Sequence, residues 1–435
     1  MSSYIDPTAP AIEALSTLSH QHPDQSTTYD ELSNLLSSKL YHQLTVSIHT
    51  FVSQPSNLRT EPSNNLFTLY NSVVSPIANK LNPLTLSRIA SHVAYSLQDY
   101  EASIALLESL IEEFDKKDKN QNNSSSGMNI GSMSNSNSYS AKTAKLYTES
   151  KKSHLTLKHM EQPLEEGQID QTKELETIQS FLTKNKPLLT EFANSTESDV
   201  AIVHSAYYEC AMTYRKAVGP PEAFYKEAIS YLHYTPLDTI SPPSEQFSLA
   251  TDLSLSALTG DGVYNFGEVV HNNKMILDVL DGTENEYLVK LMTASANGDV
   301  DALEKISNDY ASSIGKQPAL VNRADVVKEK ITLLALVNMI FERPSSERTL
   351  TFEDIASRTK MPLEKVELIV MRALSLGLIK GSMDQVDQTV DVTWVMPRVL
   401  DEGRMRQLAN RFGEWAVKVS KTREFMTEHV PVTFG

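Results

Sequence analysis

The fold is decided by the stretch Leu350–Val395, which reads LTFEDIASRTKMPLEKVELIVMRALSLGLIKGSMDQVDQTVDVTWV. Thr351 and Asp354 have the spacing of a helix cap, and the apolar residues after the cap share one helical face. Pro362 suits the first turn of a second helix, because a missing N–H costs nothing there. The apolar positions of this second helix recur every three to four residues: Val366, Ile369, Val370, Ala373 and Leu374.

A hairpin follows the second helix. Gly377 stands just past the helix end, where a left-handed residue is common, and Leu378–Lys380 and Thr389–Val395 have the composition of two strands. Polar and apolar residues alternate along the second strand, which is typical of a half-buried strand at the edge of a sheet. The apolar members, which we expect to face the core, are Val390, Val392 and Trp394. Two helices followed by a hairpin predict a winged helix.

The charge of this winged helix argues against DNA or RNA as its partner. Residues 349–396 contain five Lys or Arg and seven Asp or Glu, and the charges of the second helix cancel. A recognition helix needs net positive charge to meet phosphates. We therefore predict a winged helix that binds proteins, with nucleic-acid binding as the less favoured alternative.

The composition indicates a chain that works in a reducing compartment. Its 435 residues carry 39 basic and 55 acidic side chains, for a formal net charge of −16, and Cys210 is the single cysteine. An acidic surface repels nucleic acid and anionic membranes, and the sequence contains neither a signal peptide pattern nor an apolar run long enough for a membrane span. We expect the protein in the cytoplasm and nucleus.

The rest of the chain is predicted to be mainly α: a helical-hairpin (TPR-like) solenoid before the winged helix, and one helix after it. The expected parts are an N-terminal helical-repeat arm (1–218), further helices (219–342), the winged helix (343–397), and a terminal helix and tail (398–435). Leu32–Leu44 is spaced as one face of a long helix, and Ala319–Phe341 as another. Asn120–Ser138 is rich in Asn and Ser and has no charge, so we expect a disordered insertion at about 115–140.

The last predicted helix, Leu400–Ser420, carries an apolar stripe. Its members are Met405, Leu408, Phe412, Trp415 and Val419. Since the winged helix closes before this helix begins, the stripe either folds back on its own chain or contacts other chains. Together with Val390, Val392 and Trp394, these residues form our predicted protein interface.

No pattern for catalysis, cofactor binding or metal binding emerges. Neither glycine-rich phosphate loop occurs, and there is no HExxH motif. His20 and His22 have the spacing of paired metal ligands, but Asp30 and Ser33 follow in the wrong order for a metal isopeptidase. Cys210 stands within an apolar helix and is predicted to be a core residue. We therefore predict a protein that is not an enzyme and holds no cofactor or metal.

The run that begins at Leu350 and continues through Asp401, with VELIVMRALSLGLIKGSMDQVDQTVDVTWVMPRVLD as its core, resembles the PCI module of a lid subunit of the 26S proteasome regulatory particle. The resemblance implies a non-catalytic scaffold in ubiquitin-dependent protein degradation. It implies a hetero-oligomer whose PCI winged helices associate side by side and whose C-terminal helices form a bundle. The implied partners are other PCI and MPN subunits of the lid and the ubiquitin receptor that bridges lid and base. PCI subunits of the signalosome or of a translation initiation factor remain alternatives.

Overall fold

The structure is a computed structural model that describes residues 9–54, 64–97, 99–124, 133–161, 171–193, 199–240, 242–272, 274–343, 348–399 and 402–429. These residues are mainly helical, with one small antiparallel sheet near the C-terminus, as predicted. The chain divides into two units, Met1–Pro220 with Lys226–Pro236 and Pro221–Tyr225 with Leu237–Gly435. The finer division into four parts stays a prediction. No helix in the described ranges is both long and apolar enough to cross a membrane.

The first unit is built from helices that bury one face against their neighbours. In chain order they are α1 (Ala9–Gln21), α2 (Ser26–Ser37), α3 (Tyr41–Ser53), α4 (Asn64–Leu69), a π-helical turn (Tyr70–Val74), α5 (Ser75–Ile77), α6 (Pro83–Ser96), α7 (Tyr100–Ser124), α8 (Met133–Met160), α9 (Gln171–Ala193) and α10 (Val200–Val218). Helix α11 (Pro221–Tyr234) crosses the division between the units. The buried core of this unit is apolar, as the helical periodicity predicted.

The long helix predicted over Leu32–Leu44 is wrong, because the chain breaks there into α2 and α3. Lys39 adopts a left-handed conformation with φ of 56°, and the exposed Leu40 follows it before α3 begins. A continuous apolar spacing therefore spans two helices, since both sides of the break pack on one core.

Both flanks of the segment predicted as a disordered insertion are helical in the structure. Helix α7 continues to Ser124 and α8 begins at Met133, because a helix whose packed part is already formed extends at little further cost. Residues 125–132, the middle of the predicted insertion, lie outside the described residues.

The helices of the second unit lead into the winged helix. They are α12 (Pro243–Thr259), α13 (Lys274–Asp278), α14 (Glu286–Asn297), α15 (Val300–Asp309), α16 (Ala311–Gly315), α17 (Pro318–Asn322) and α18 (Ala324–Glu342). The single helix predicted over Ala319–Phe341 is two helices, separated at Arg323. Arg323 Nη1 donates to the Thr259 carbonyl at 2.9 Å, so the break lets this side chain reach the end of α12.

Lys330 of α18 caps the same helix end from inside the unit. Its Nζ donates to the carbonyl oxygens of Ala257 at 2.6 Å and Gly260 at 2.7 Å. Burial lowers the pKa of Lys330 to about 7. The Phe266 ring, 5.1 Å from Nζ to its centroid, gives the ammonium a further favourable contact. The last carbonyls of α12 are therefore satisfied by α18, which fixes the two helices together.

The winged helix follows as predicted, with one strand more. Its elements are β1 (Thr349–Thr351), α19 (Phe352–Thr359), α20 (Leu363–Ser375), β2 (Ile379–Asp384) and β3 (Thr389–Val395). Strand β3 lies in the middle, antiparallel to β1 on one side and β2 on the other. The Thr351 hydroxyl accepts from the Asp354 N–H at 3.2 Å, and Gly377 has φ of 68°, which confirms the predicted cap and helix end.

The core of the winged helix is shared with α18. Leu333, Leu336, Val337 and Ile340 of that helix are buried in the same apolar cluster as both winged-helix helices and the sheet. The predicted stripes of α19 and α20 point into this cluster. Because α18 also carries Lys330, it joins the helices before it to the module after it within this unit.

Candidate protein-interaction surface

The predicted interface residues of β3 divide between core and surface. Val390 and Val392 are buried in the winged-helix core, as expected. Trp394 was expected beside them, but 39% of it is exposed. The Lys380 ammonium of β2 lies 5.1 Å from the centroid of the Trp394 ring, on the outer side of the sheet. The predicted orientation of Trp394 is therefore wrong, and its ring contributes to the surface instead.

A β-bulge explains the orientation of Trp394. Successive residues of β2 pair with Val392 and Trp394, which leaves Thr393 as an extra residue on β3. An extra residue reverses the alternation of side chains beyond it. Val395 is accordingly the next residue to face the core. The sequence shows a regular alternation through position 394, so it contains no signal of the bulge.

The basic side chains of the winged helix are largely engaged within the protein. Arg358 pairs with Glu342 at 3.4 Å, and Arg372 pairs with Glu329 at 2.9 Å. Lys360 contacts Asp301 and also lies 3.6 Å from Glu304. With Lys380 over the Trp394 ring, four of the five basic residues in this module have such contacts. A phosphate backbone would have to compete for them, which favours a protein partner.

Helix α20 exposes apolar residues that the sequence reasoning missed. Leu368 is 65% exposed and Met371 is 50% exposed, on the side of the helix away from the core. Both lie outside the predicted apolar stripe of α20. An apolar residue at a position expected to face solvent was the signal in the sequence for this exposed surface. In a winged helix that binds DNA, this helix carries the residues that reach base edges. Its apolar outer face here is suited to contact with a protein.

The terminal helix α21 (Glu402–His429) is longer than predicted, and its described side chains are exposed from residue 403 to residue 428. All five residues of the predicted stripe are exposed, Trp415 at 65% and Phe412 at 59%. Since every side chain described for this helix is exposed, the stripe does not fold back on its own chain. Of the two possibilities raised by the sequence, packing of the stripe on its own chain is therefore excluded. Contact of the stripe with other chains remains a prediction.

Arg398 holds the chain just before α21 begins. Its guanidinium donates to the side-chain carbonyl of Asn338 on α18 and, at 3.2 Å, to the backbone carbonyl of Ala296 at the end of α14. The Asn338 amide donates to the same Ala296 oxygen at 3.2 Å. Asn338 is buried, so this contact fixes the point at which the chain leaves the helical part of the unit. We call Arg398, Asn338 and Ala296 the exit contact.

A largely buried ionic contact of the first unit serves packing. Lys151 of α8 pairs with Glu209 of α10, and both side chains are largely buried. Burial alone would raise the pKa of the Glu209 carboxyl, but the Lys151 ammonium and His154 lower it to about 2. Tyr95 shares a 2.5 Å hydrogen bond with His154 Nδ1. Such a buried and mutually satisfied group ties helices together and offers no open position for a substrate.

Two reactive side chains of the first unit, a cysteine and a histidine, lie in its core. Within them, no group of three or more His, Cys, Asp or Glu side chains is placed to hold a metal ion. Cys210 is buried, and burial raises the pKa of its thiol, so it is a core residue and not a reactive nucleophile. His204 is likewise buried, and its ring lies beside those of Tyr208 and Tyr234. The exposed apolar residues of α20, the outer face of the sheet and α21 therefore make up the candidate site.

Comparison with known proteins gives the family. Residues 28–292 match the family described as PSD13 N-terminal repeats, and residues 307–394 match the PCI domain. The 26S proteasome non-ATPase regulatory subunit 13 of Dictyostelium discoideum is 31% identical over 407 residues, which cover 94% of each chain. The 26S proteasome non-ATPase regulatory subunit 13 homolog B of Arabidopsis thaliana is 31% identical over 412 residues, 95% of this chain and 96% of its own.

A more distant relative bears on one of the alternatives. Eukaryotic translation initiation factor 3 subunit M of Coccidioides immitis is 26% identical over 222 residues, 51% of this chain and 45% of its own. The proteasome relatives match nearly the whole chain at higher identity, and the resemblance predicted from Leu350–Asp401 is confirmed. The chain therefore belongs to the family of the 26S proteasome non-ATPase regulatory subunit 13, with N-terminal repeats followed by a PCI domain.

Proposed function

We propose that this protein is a non-catalytic scaffold subunit of the 26S proteasome lid that positions its neighbours in ubiquitin-dependent protein degradation. The observation that carries the proposal is α21, a long helix whose apolar stripe is exposed although the winged helix before it has a complete core. An exposed apolar surface of this size is typical of an interface with another protein. The family supports an assembly of several different subunits.

The partners we propose are other PCI and MPN subunits of the lid, and the ubiquitin receptor subunit that bridges lid and base. Two surfaces of the winged helix support contact with a neighbouring PCI module. Strand β2 is an edge strand whose outer side can accept another strand, and Trp394 lies exposed on the adjacent face. Val390 and Val392 support this surface from the core. The work of the chain is then positioning, in the cytoplasm and nucleus, with no bond made or broken.

Co-purification tests this proposal. The tagged full-length chain is recovered from its own cells under low-salt conditions, and the proteins bound to it are identified by mass spectrometry. We expect proteasome lid and base subunits in near-equal amounts. Recovery of translation initiation factor or signalosome subunits in their place would contradict the proposal and favour the corresponding alternative.

A further inference from the structure

The exposed stripe of α21 has the spacing of a coiled-coil seam. Its five residues are separated by three, four, three and four positions, which is the pattern of the a and d positions of a heptad repeat. The same spacing continues beyond Val419 through Thr422 to Met426, and Met426 is also exposed. At about 1.5 Å per residue, the seam is roughly 30 Å long. It therefore suits a partner helix of about three heptads.

The two flanks of the seam differ in charge. The g positions, on one side, are Arg404, Arg411 and Lys418, followed by Phe425. The e positions, on the other side, are Ala409, Ala416 and Arg423. The side chains of Arg411 and Lys418 are exposed. The seam therefore has a basic line along its g edge, whereas two of the three residues on its e edge are uncharged. In coiled coils the charges of the e and g residues select the partner helix.

A second copy of this chain does not suit the seam. In a parallel pair the basic g residues would face Ala409, Ala416 or Arg423, none of which is acidic. In an antiparallel pair the g residues would face one another, and like charges would repel. Both arrangements leave the basic line without an opposite charge.

From this geometry we propose that α21 is covered by an amphipathic helix of a different chain, with Asp or Glu along the edge that meets Arg411 and Lys418. The inference rests on the proposed function, since it specifies the chemistry of the neighbour that contacts α21 in the assembly. It adds that the choice of neighbour depends on charge as well as on apolar area. The exit contact supports the same role, because it fixes the start of the helix that presents the seam.

Two synthetic helical peptides test the charge preference on the full-length chain. Both span about three heptads with Leu at a and d; one carries Glu at every e and g position, and the other carries Lys. Neither peptide pairs with itself, because its flanking charges repel. Binding is measured by the fluorescence anisotropy of the labelled peptide, and sedimentation velocity of the chain alone reports self-association. We expect a monomeric chain that binds the Glu peptide about tenfold or more tightly than the Lys peptide at low salt.

Paired charge reversals locate the preference on the seam. R411E/K418E reverses two g positions and should bring the affinity for the Glu peptide down to that for the Lys peptide or below it. R406E/K421E reverses one Arg and one Lys at b and c positions, away from the seam, and serves as the matched control that should keep the preference. Circular dichroism checks that each variant retains its helix content.

Several results would overturn the inference. These are equal binding of the two peptides, binding of neither, self-association of the chain through α21, or a preference for the Glu peptide that survives R411E/K418E. The peptides contain no proteasome sequence, so this experiment is separate from the co-purification test. A chain that recovers lid subunits but does not discriminate between the peptides refutes the charge preference alone, whereas discrimination without lid subunits refutes the proposed function.

Discussion

The exit contact gives the most quantitative prediction. Arg398→Ala removes a guanidinium that donates to Asn338 and to the Ala296 carbonyl. A hydrogen bond from a charged donor contributes about 1.5–3 kcal/mol. Arg398 is only half-buried, and Ala296 O keeps its bond from the Asn338 amide, so we expect the low end. The free energy of unfolding of the second unit should fall by about 2–3 kcal/mol in total.

A double-mutant cycle in the full-length chain measures this contact. Urea unfolding is followed by circular dichroism for wild type, Arg398→Ala, Asn338→Ala and the double variant. The two substitutions should be non-additive by about 1–2 kcal/mol, because each removes the same contact. In calorimetry, only the transition of the second unit should move, by roughly 4–10 °C. Arg411→Ala, an exposed Arg on α21, is the control and should change stability by less than about 0.5 kcal/mol. Additive effects, or an Arg398→Ala variant as stable as this control, would refute the reasoning.

Three further predictions concern the second unit, each checked by equilibrium unfolding. Trp394→Ala should cost less than about 1 kcal/mol because the ring is at the surface, whereas Val392→Ala should cost about 2 kcal/mol through a core cavity; the reverse order would contradict the bulge. Gly381→Ala should cost several times more than Trp394→Ala, because a Cβ there would lie 2.0 Å from the Asp391 carbonyl oxygen; an unchanged stability would show that the strands separate easily. Lys330 has a folded pKa of about 7, below its unfolded value near 10.4, so the unfolded chain binds the extra proton between these values. Stability should therefore rise with pH across that window, and Lys330→Met should remove this rise; a wild-type profile that is flat or falling there would contradict the lowered pKa.

The winged helix could be predicted from the sequence because its signals are local. The cap at Thr351, the stripe from Val366 and the glycine at 377 each act within a few residues, and the structure has them all. The apolar stripe of α21 was visible for the same reason. Its length was not, since a polar residue, Thr422, takes the next position of the stripe without stopping the helix.

The features that the sequence did not reveal depend on distant partners. The bulge at Thr393 depends on how β2 pairs with β3, and the alternation of side chains does not record it. The exit contact joins positions that are 60 and 102 residues apart in the sequence. The sequence alone does not distinguish Arg398 from the other basic residues, because its partner Asn338 is distant along the chain. The exposed Leu368 and Met371 were missed because the apolar periodicity of α20 identifies only the residues that face the core.

The central claim, that α21 serves assembly and not the fold of its own chain, is tested most directly by truncation after Asp401. Two properties of the truncated chain are measured side by side: its thermal unfolding by circular dichroism, and its recovery with tagged lid subunits. We expect a melting temperature close to that of the full-length chain, because the core is untouched. We also expect that much less of the truncated chain is recovered with the tagged lid subunits, because the exposed stripe is removed. A truncated chain that is unfolded, or one that is recovered with the lid subunits as well as the full-length chain, would contradict the claim.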